Sequence, residues 1–263
     1  MEAKHLEIDH CKVFYDLYPC TNPKSTLTLI NGHTRSSSDF RMIARKLSEK
    51  GYLIIAPDNR ASGRSLCEQP FEFQQFLKDV SAIWEAEHIS DTSVLGISMG
   101  GLIALGLCGL FPNKVKKAIV TSSFCQQINS TKPPVPWGTS AESVAAKLRP
   151  YFSENFSSRN PLLLNAMVKA ILKSIESGKF SNQAQLQRDA LRSLDLSKEL
   201  PGYPQDFLFI HGKEDYIVPY QNSVEMDAAV GSSKLMLYEG VGHLILAEAP
   251  DKFFQDVHAF LEE

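Results

Sequence analysis

Three residues far apart in the chain carry side chains that together could turn an alcohol into a nucleophile. Ser98 lies in the run Gly96-Ile97-Ser98-Met99-Gly100, Asp215 ends the run His211-Gly212-Lys213-Glu214-Asp215, and His243 follows Gly242. A serine hydroxyl attacks poorly at neutral pH, so a base must take its proton and a third group must hold that base in one tautomer. Ser98 would attack, His243 would take and return the proton, and Asp215 would orient the imidazole. Glu214 competes with Asp215, because spacing alone does not aim a side chain. Charge developing on an attacked carbonyl needs two N–H donors. By position these are the backbone amides of Met99, just after Ser98, and of His33, in Asn31-Gly32-His33.

Gly-x-Ser-x-Gly is weak by itself and gains weight from its flanks. Residues 92–95 read as the end of a buried strand and 102–110 as a buried helix, the context of a nucleophile elbow. Short apolar strands at 26–30, 52–56, 115–121, 206–210 and 234–238 alternate with helical patterns at 40–50, 71–89 and 250–261. That rhythm predicts right-handed βαβ crossovers and an α/β fold with a mostly parallel sheet flanked by helices. Residues 5–18 alternate as a strand pair turning near 9–11. Ligands of such sheets bind at the carboxyl ends of strands, where 31–38, 58–65 and Ser98 all fall. From 126 to 200 helical patterns, as at 141–148 and 162–175, replace the strands. The expected division is a core of residues 1–125 and 201–263 interrupted by a helical lid at 126–200.

The chain has 263 residues, 43% of them hydrophobic, which suffices for one sizeable domain with an insertion. Its formal net charge of -3 gives no field favouring nucleic acid or membrane. The start of the chain has no apolar leader and no apolar run is long enough to span a bilayer, so a cytoplasmic protein is expected. Five cysteines without a C-x-x-C pair argue against a disulfide framework and against zinc, leaving reduced, mostly structural thiols. Cys67 and Cys125 are the two that could approach the pocket. No metal or cofactor is expected.

The order Ser98, Asp215, His243 is the nucleophile, acid, histidine order of one large family. With Asn31-Gly32-His33, Asp58-x-Arg60-x-x-Gly63-x-Ser65, the elbow, Gly212-x-x-Asp215 and Gly242-His243, the chain resembles the α/β-hydrolase superfamily with a helical cap. Within it the chain is similar to small carboxylesterases, 3-oxoadipate enol-lactonases and the biotin-pathway esterases that demethylate a pimeloyl carrier-protein ester. The resemblance implies a cofactor-independent serine hydrolase acting on a small-molecule carboxylic ester through an acyl-enzyme. It also leaves open a lactone or carbon–carbon bond hydrolase with the same triad, and a slow small-molecule binding protein or receptor. An aspartate nucleophile is disfavoured by the serine at the elbow.

Two departures stand out. Asn31 occupies a position that is commonly histidine in the family, and His33 one that is commonly apolar or aromatic, which would put a polar ring in the pocket. Ala61 replaces a frequent glycine. His211 reads as structural, Asp58 and Arg60 as loop ties, and His5, His10, His88 and His258 as surface residues. Trp137, Tyr151, Phe152, Phe156 and Leu244 are the pocket candidates. The window 126–200 holds ten Lys and Arg against six Asp and Glu, about +4, with the remainder near -7. If Lys147, Arg149 and Arg159 faced the pocket mouth, an acidic acyl-carrier protein could dock there.

Overall fold

The computed structural model describes residues 1–126, 137–178, 180–192 and 194–263, so 127–136 of the expected insertion lie outside the described residues. Eight strands form one sheet in the order β1-β2-β4-β3-β5-β6-β7-β8. They are β1 (Glu2–Ile8), β2 (Cys11–Tyr18), β3 (Ser25–Ile30), β4 (Tyr52–Pro57), β5 (Thr92–Ile97), β6 (Val115–Thr121), β7 (Asp206–Gly212) and β8 (Ser233–Tyr238). β1 and β2 are antiparallel to their neighbours, and every pairing from β4 through β8 is parallel. The β1–β2 turn uses Asp9 at φ 44° and His10 at φ 61°, the left-handed pair that a two-residue hairpin of matching twist requires.

β5 is central and buried along its whole length. Its alternation sends Val94 to one apolar layer and Leu95 and Ile97 to the other. The first layer is closed by α2 (Phe73–Ala86) and α3 (Met99–Leu110), the second by α1 (Arg41–Glu49) and α10 (Pro250–Glu262). Between β6 and β7 come α4 (Ala141–Leu148), α5 (Glu154–Arg159), α6 (Pro161–Glu176) and α7 (Phe180–Ala190). The α4–α6 segment has its own small core of Val144, Leu148, Phe152 and Val168. Among the described residues no helix is long and apolar enough to cross a membrane.

One expectation is corrected here. Cys11 of β2 and Cys67, in the loop after β4, form a disulfide with Cα atoms 5.6 Å apart; Cys20, Cys108 and Cys125 are free. The pairing joins residues 56 apart in sequence, which cysteine spacing could not reveal. Arg60 and Asp58 do tie segments together by ion pairing, as the sequence suggested. Arg60 is buried against Asp79 of α2, while Asp58 is held by Arg64. The sequence also left α8 (Gln221–Ala229) unread: it has no marked apolar face to give the helical period.

Candidate functional site

The parallel register brings the carboxyl ends of β3, β5, β6 and β7 level, with Ile30 beside Gly96, Ile97 beside Thr121, and Thr121 beside Ile210. The loops leaving these ends therefore meet. Ser98 sits between β5 and α3 at φ 55°, ψ -120°, a backbone conformation disfavoured for any residue with a Cβ. Neighbouring contacts over-determine it. Ser98 N–H donates to the Thr121 carbonyl at 2.9 Å, while the Ser98 carbonyl accepts from Gly101 N–H at 2.8 Å and Ser123 Oγ–H at 2.7 Å. A Cβ on Gly96 would come within 2.1 Å of the Gly100 carbonyl, and one on Gly100 within 2.1 Å of the Ile30 carbonyl. Both clashes are with backbone, so only glycine permits strand and helix to leave the turn this closely.

The loop after β3 packs against the same residue. A Cβ on Gly32 would lie 3.2 Å from Ser98 Cβ. Asn31 organises this loop: its Oδ1 accepts Gly32 N–H at 2.8 Å, and its Nδ2 donates to the Ser36 carbonyl at 2.7 Å and Asp39 Oδ2 at 2.9 Å. Among the described residues neither His33 N–H nor Met99 N–H is taken by an acceptor, as expected of a first helical residue in the case of Met99. The His33 ring does not hang in open space: its Nε2 bonds the Ala184 carbonyl of α7 at 2.8 Å. Burial, reinforced by the charges of Arg188 and Lys147, pushes His33 down to about 4, so the ring is neutral at pH 7 and Nε2–H is the donor.

Of the two adjacent carboxylates, Asp215 meets His243. Its Oδ2 accepts His243 Nδ1–H at 2.7 Å, and its Oδ1 accepts the Ile217 and Val218 N–H groups at 2.9 and 2.8 Å. Glu214 turns instead to the Glu154 N–H. His211, fully buried, places Nε2 3.1 Å from the same Asp215 oxygen and 3.0 Å from the Val218 carbonyl, with Nδ1 2.7 Å from Ser223 Oγ. Nε2 facing two acceptors makes it the protonated nitrogen and leaves Nδ1 to accept the serine hydroxyl. Burial alone would raise Asp215; hydrogen bonds from His211 and His243, the imidazole charge and the Val218 amide bring it down to about 2. The carboxylate is thus ionised and accepts from His243 Nδ1–H, the contact that puts the lone pair of a neutral imidazole on Nε2. No hydrogen bond joins His243 to Ser98 among the described residues.

The interposed helices reach this machinery at two points that sequence reasoning missed. Gln187, fully buried on α7, accepts Thr34 N–H on Oε1 and donates from Nε2 to the Arg60 carbonyl, each at 2.8 Å. One turn earlier, Gln183 clasps the backbone of Cys67, accepting its N–H at 2.9 Å and donating to its carbonyl at 2.6 Å. On the other side the Tyr151 carbonyl accepts His243 N–H at 2.9 Å, and the Tyr151 ring stands edge-on to the imidazole with centroids 5.6 Å apart. Glu248 joins Ser153 to Gly242 N–H. The four-residue spacing of the two glutamines was the signal available, since it puts both on one helix face.

The pocket candidates divide. Trp137, Tyr151, Phe152, Phe156 and Leu244 all belong to the α4–α6 apolar cluster; Tyr151, Leu244 and the Phe152 backbone adjoin the His243 loop, where Leu244 N–H also meets the Tyr151 carbonyl at 3.2 Å. Phe152 stacks on Phe156 inside the cluster. Phe156 lines a cavity of about 300 Å³ with Ser153, Arg159 and Glu248, away from Ser98. Lys147 is half-buried, whereas Arg149 and Arg159 are exposed.

Known proteins agree with this architecture. The family described as serine aminopeptidase, S33, matches residues 21–250. An sn-1-specific diacylglycerol lipase of Xenopus laevis is 24% identical, over 94% of this chain and 83% of its own. A 2-hydroxymuconate semialdehyde hydrolase of Pseudomonas sp. (strain CF600) is 26% identical, over 86% of this chain and 82% of its own. The crystal structure of the enol-lactonase from Burkholderia xenovorans LB400 superposes with a TM-score of 0.84 at 21% identity, covering 99% of this chain and 100% of that one. With a family match across most of its length and this eight-stranded sheet, the chain belongs to the serine aminopeptidase S33 family of α/β-hydrolases.

Proposed function

We propose that this chain is a serine hydrolase that cleaves a carboxylic ester through an acyl-enzyme, with helices of the 126–200 segment acting as a lid. Ser98 Oγ attacks the carbonyl carbon as its proton passes to His243 Nε2. The oxyanion is received by the N–H groups of His33 and Met99. The C–O bond to the leaving alcohol then breaks, and His243 returns the proton to that oxygen. Water attacks the acyl-serine by the same route in reverse, releasing the acid and Ser98. Asp215 stays ionised throughout and holds the imidazole. The observation that carries this reading is the conformation of Ser98, strained at an elbow that the surrounding loops converge on, with a carboxylate-bound imidazole on one of them. The Ser98–His243 hydrogen bond is one that forms or tightens when substrate binds.

Opening a lactone needs the same groups, and resemblance to an enol-lactonase favours it as the second reading. The comparisons give no support to an acyl-carrier partner. A fluorophosphonate probe should label the wild-type protein and leave Ser98→Ala unlabelled. 4-Nitrophenyl esters of graded chain length, run beside an enol-lactone, separate ester from lactone preference. Labelling that persists in Ser98→Ala would remove the serine from its role, and turnover stopping at one equivalent would favour a binding protein.

A further inference from the structure

His243 hangs from a short stretch of backbone, and one side chain ties that stretch to the interposed helices. Glu248 ends α9 (Ile245–Glu248), the single turn after His243, and its carboxylate folds back across that turn. Oε1 accepts Gly242 N–H at 3.1 Å, while Oε2 accepts the Ser153 hydroxyl at 2.5 Å and the Ser153 N–H at 3.2 Å. Three donors from two segments thus meet on one carboxylate. Ser153 is fully buried at the start of α5, where its Oγ accepts Phe156 N–H at 3.3 Å and keeps its own hydrogen for Glu248. The two backbones touch here: a Cβ on Gly242 would lie 2.7 Å from the Phe152 carbonyl carbon and from Ser153 N. On its other side the loop rests on the end of β7, where a Cβ on Gly212 would come within 2.4 Å of the Gly242 carbonyl. Burial and the charge of Glu214 push the Glu248 carboxyl up, and the Ser153 and Gly242 donors oppose them. A charged acceptor forms stronger hydrogen bonds than a neutral amide, so the clamp depends on the carboxylate and not on side-chain shape alone.

We propose that Glu248 is a positioning residue for the base: by fastening Gly242 to Ser153 it sets where the His243 backbone stands, and hence where Nε2 is presented. The Tyr151 carbonyl, which accepts His243 N–H at 2.9 Å, belongs to the same fastened segment, so releasing Glu248 loosens both contacts together. Asp215 fixes the Nδ1 edge of the ring, whereas Glu248 fixes the chain from which the ring hangs. Glu248 acts through His243, whose part in the chemistry rests on the hydrolase reading above. A displacement of about 1 Å in a catalytic group costs on the order of a hundredfold in rate, so even a modest slackening of this loop is measurable.

The test measures kcat and KM for 4-nitrophenyl butyrate in the full chain, with active sites counted by fluorophosphonate titration so that unfolded protein does not enter the rate. Glu248→Ala should lower kcat per active site by about tenfold or more with KM little changed. Glu248→Gln, which keeps an acceptor for Gly242 N–H but turns an amide donor toward Ser153, should restore part of the rate. Ser153→Ala should cost less than Glu248→Ala and nothing further when added to it, because both break one chain. A second readout needs no turnover: in Ser98→Ala protein the far-downfield proton of His243 Nδ1–H, assigned by its loss in His243→Gln, should shift and exchange faster with solvent when Glu248→Ala is added. Should Glu248→Ala fail to fold, Glu248→Gln in both assays carries the test, with a smaller loss in kcat and the same direction of change in the proton signal. Native kcat per active site, a loss confined to KM, or an unmoved Nδ1–H signal would overturn the proposal. The two readings fail separately: wild-type protein that neither labels nor turns over removes the hydrolase and leaves the Nδ1–H signal to decide on Glu248, whereas full turnover in Glu248→Ala keeps the hydrolase and removes the positioning role.

Discussion

Replacing Gln187 by leucine tests whether a helix outside the central sheet sets the oxyanion loop. The native side chain is fully buried and makes two hydrogen bonds of 2.8 Å, from Thr34 N–H and to the Arg60 carbonyl. Leucine keeps roughly the volume and strands one donor and one acceptor, each costing about 1–3 kcal/mol when buried without a partner. The loop thus loses about 2–6 kcal/mol of support. Thr34 stands at φ 61°, an outlier for a β-branched residue, and such strain stores about 1–3 kcal/mol. The lost support matches or exceeds that strain, so the turn at 33–34 relaxes and swings the adjoining His33 amide off its target. One misplaced oxyanion donor costs about 3 kcal/mol, on the order of a hundredfold in kcat. The assay is steady-state hydrolysis of 4-nitrophenyl butyrate, with circular dichroism confirming the fold. A drop of that order in kcat with KM within a few-fold is expected. Gln187→Glu, which keeps the acceptor for Thr34 but sets an oxygen against the Arg60 carbonyl, should fall between. A Gln187→Leu protein with native kcat, or a loss confined to KM, would refute the reasoning.

Two further substitutions follow from the same geometry. Asp215→Asn would turn an amide donor toward His243 Nδ1 and favour the wrong tautomer, so kcat should fall by about 10⁴ while fluorophosphonate labelling slows in proportion. Asp215 also links stability to pH. Its folded value of about 2 lies below the usual 3.8, which corresponds to about 2 kcal/mol. That stability is fully present above pH 3.8 and is lost as pH falls through about 2. Urea unfolding of Asp215→Asn at pH 5 and pH 2.5 should lack this component. Gly100→Ala sets a methyl group 2.1 Å from the Ile30 carbonyl and 2.8 Å from that of Asn31, both backbone atoms. The elbow must open, at about 1–3 kcal/mol or more. A lower Tm by calorimetry and loss of Ser98 labelling are expected, and a native-like labelling rate would show that the turn tolerates a Cβ.

The central strands and the elbow were legible because they are written locally. Val94 faces one apolar layer and Leu95 and Ile97 the other, and glycines at 96 and 100 mark where backbone meets backbone. The pairing of Asp215 with His243 was legible only as one of two carboxylates, since the choice over Glu214 depends on how the loop after β7 folds back on the Ile217 and Val218 amides. What the sequence hid is tertiary. The Cys11–Cys67 disulfide, the Gln183 and Gln187 clasps and the Arg60–Asp79 pair each join segments brought together only by the folded chain. Nor could composition show that the basic residues of the helical segment include exposed Arg149 and Arg159 and half-buried Lys147 and Arg188.

These attachments bear on how substrate choice and chemistry are coupled in this chain. The helices between β6 and β7 hold the core in two places, each on a different half of the proposed machinery. α7 grips the loop that bears His33, through Gln187 and the Ala184 carbonyl. The segment after α4 grips the loop that bears His243, through the Tyr151 carbonyl and the Ser153–Glu248–Gly242 chain. A displacement of α7 therefore changes the oxyanion donor before it changes the base, and a displacement of the Tyr151 turn does the opposite.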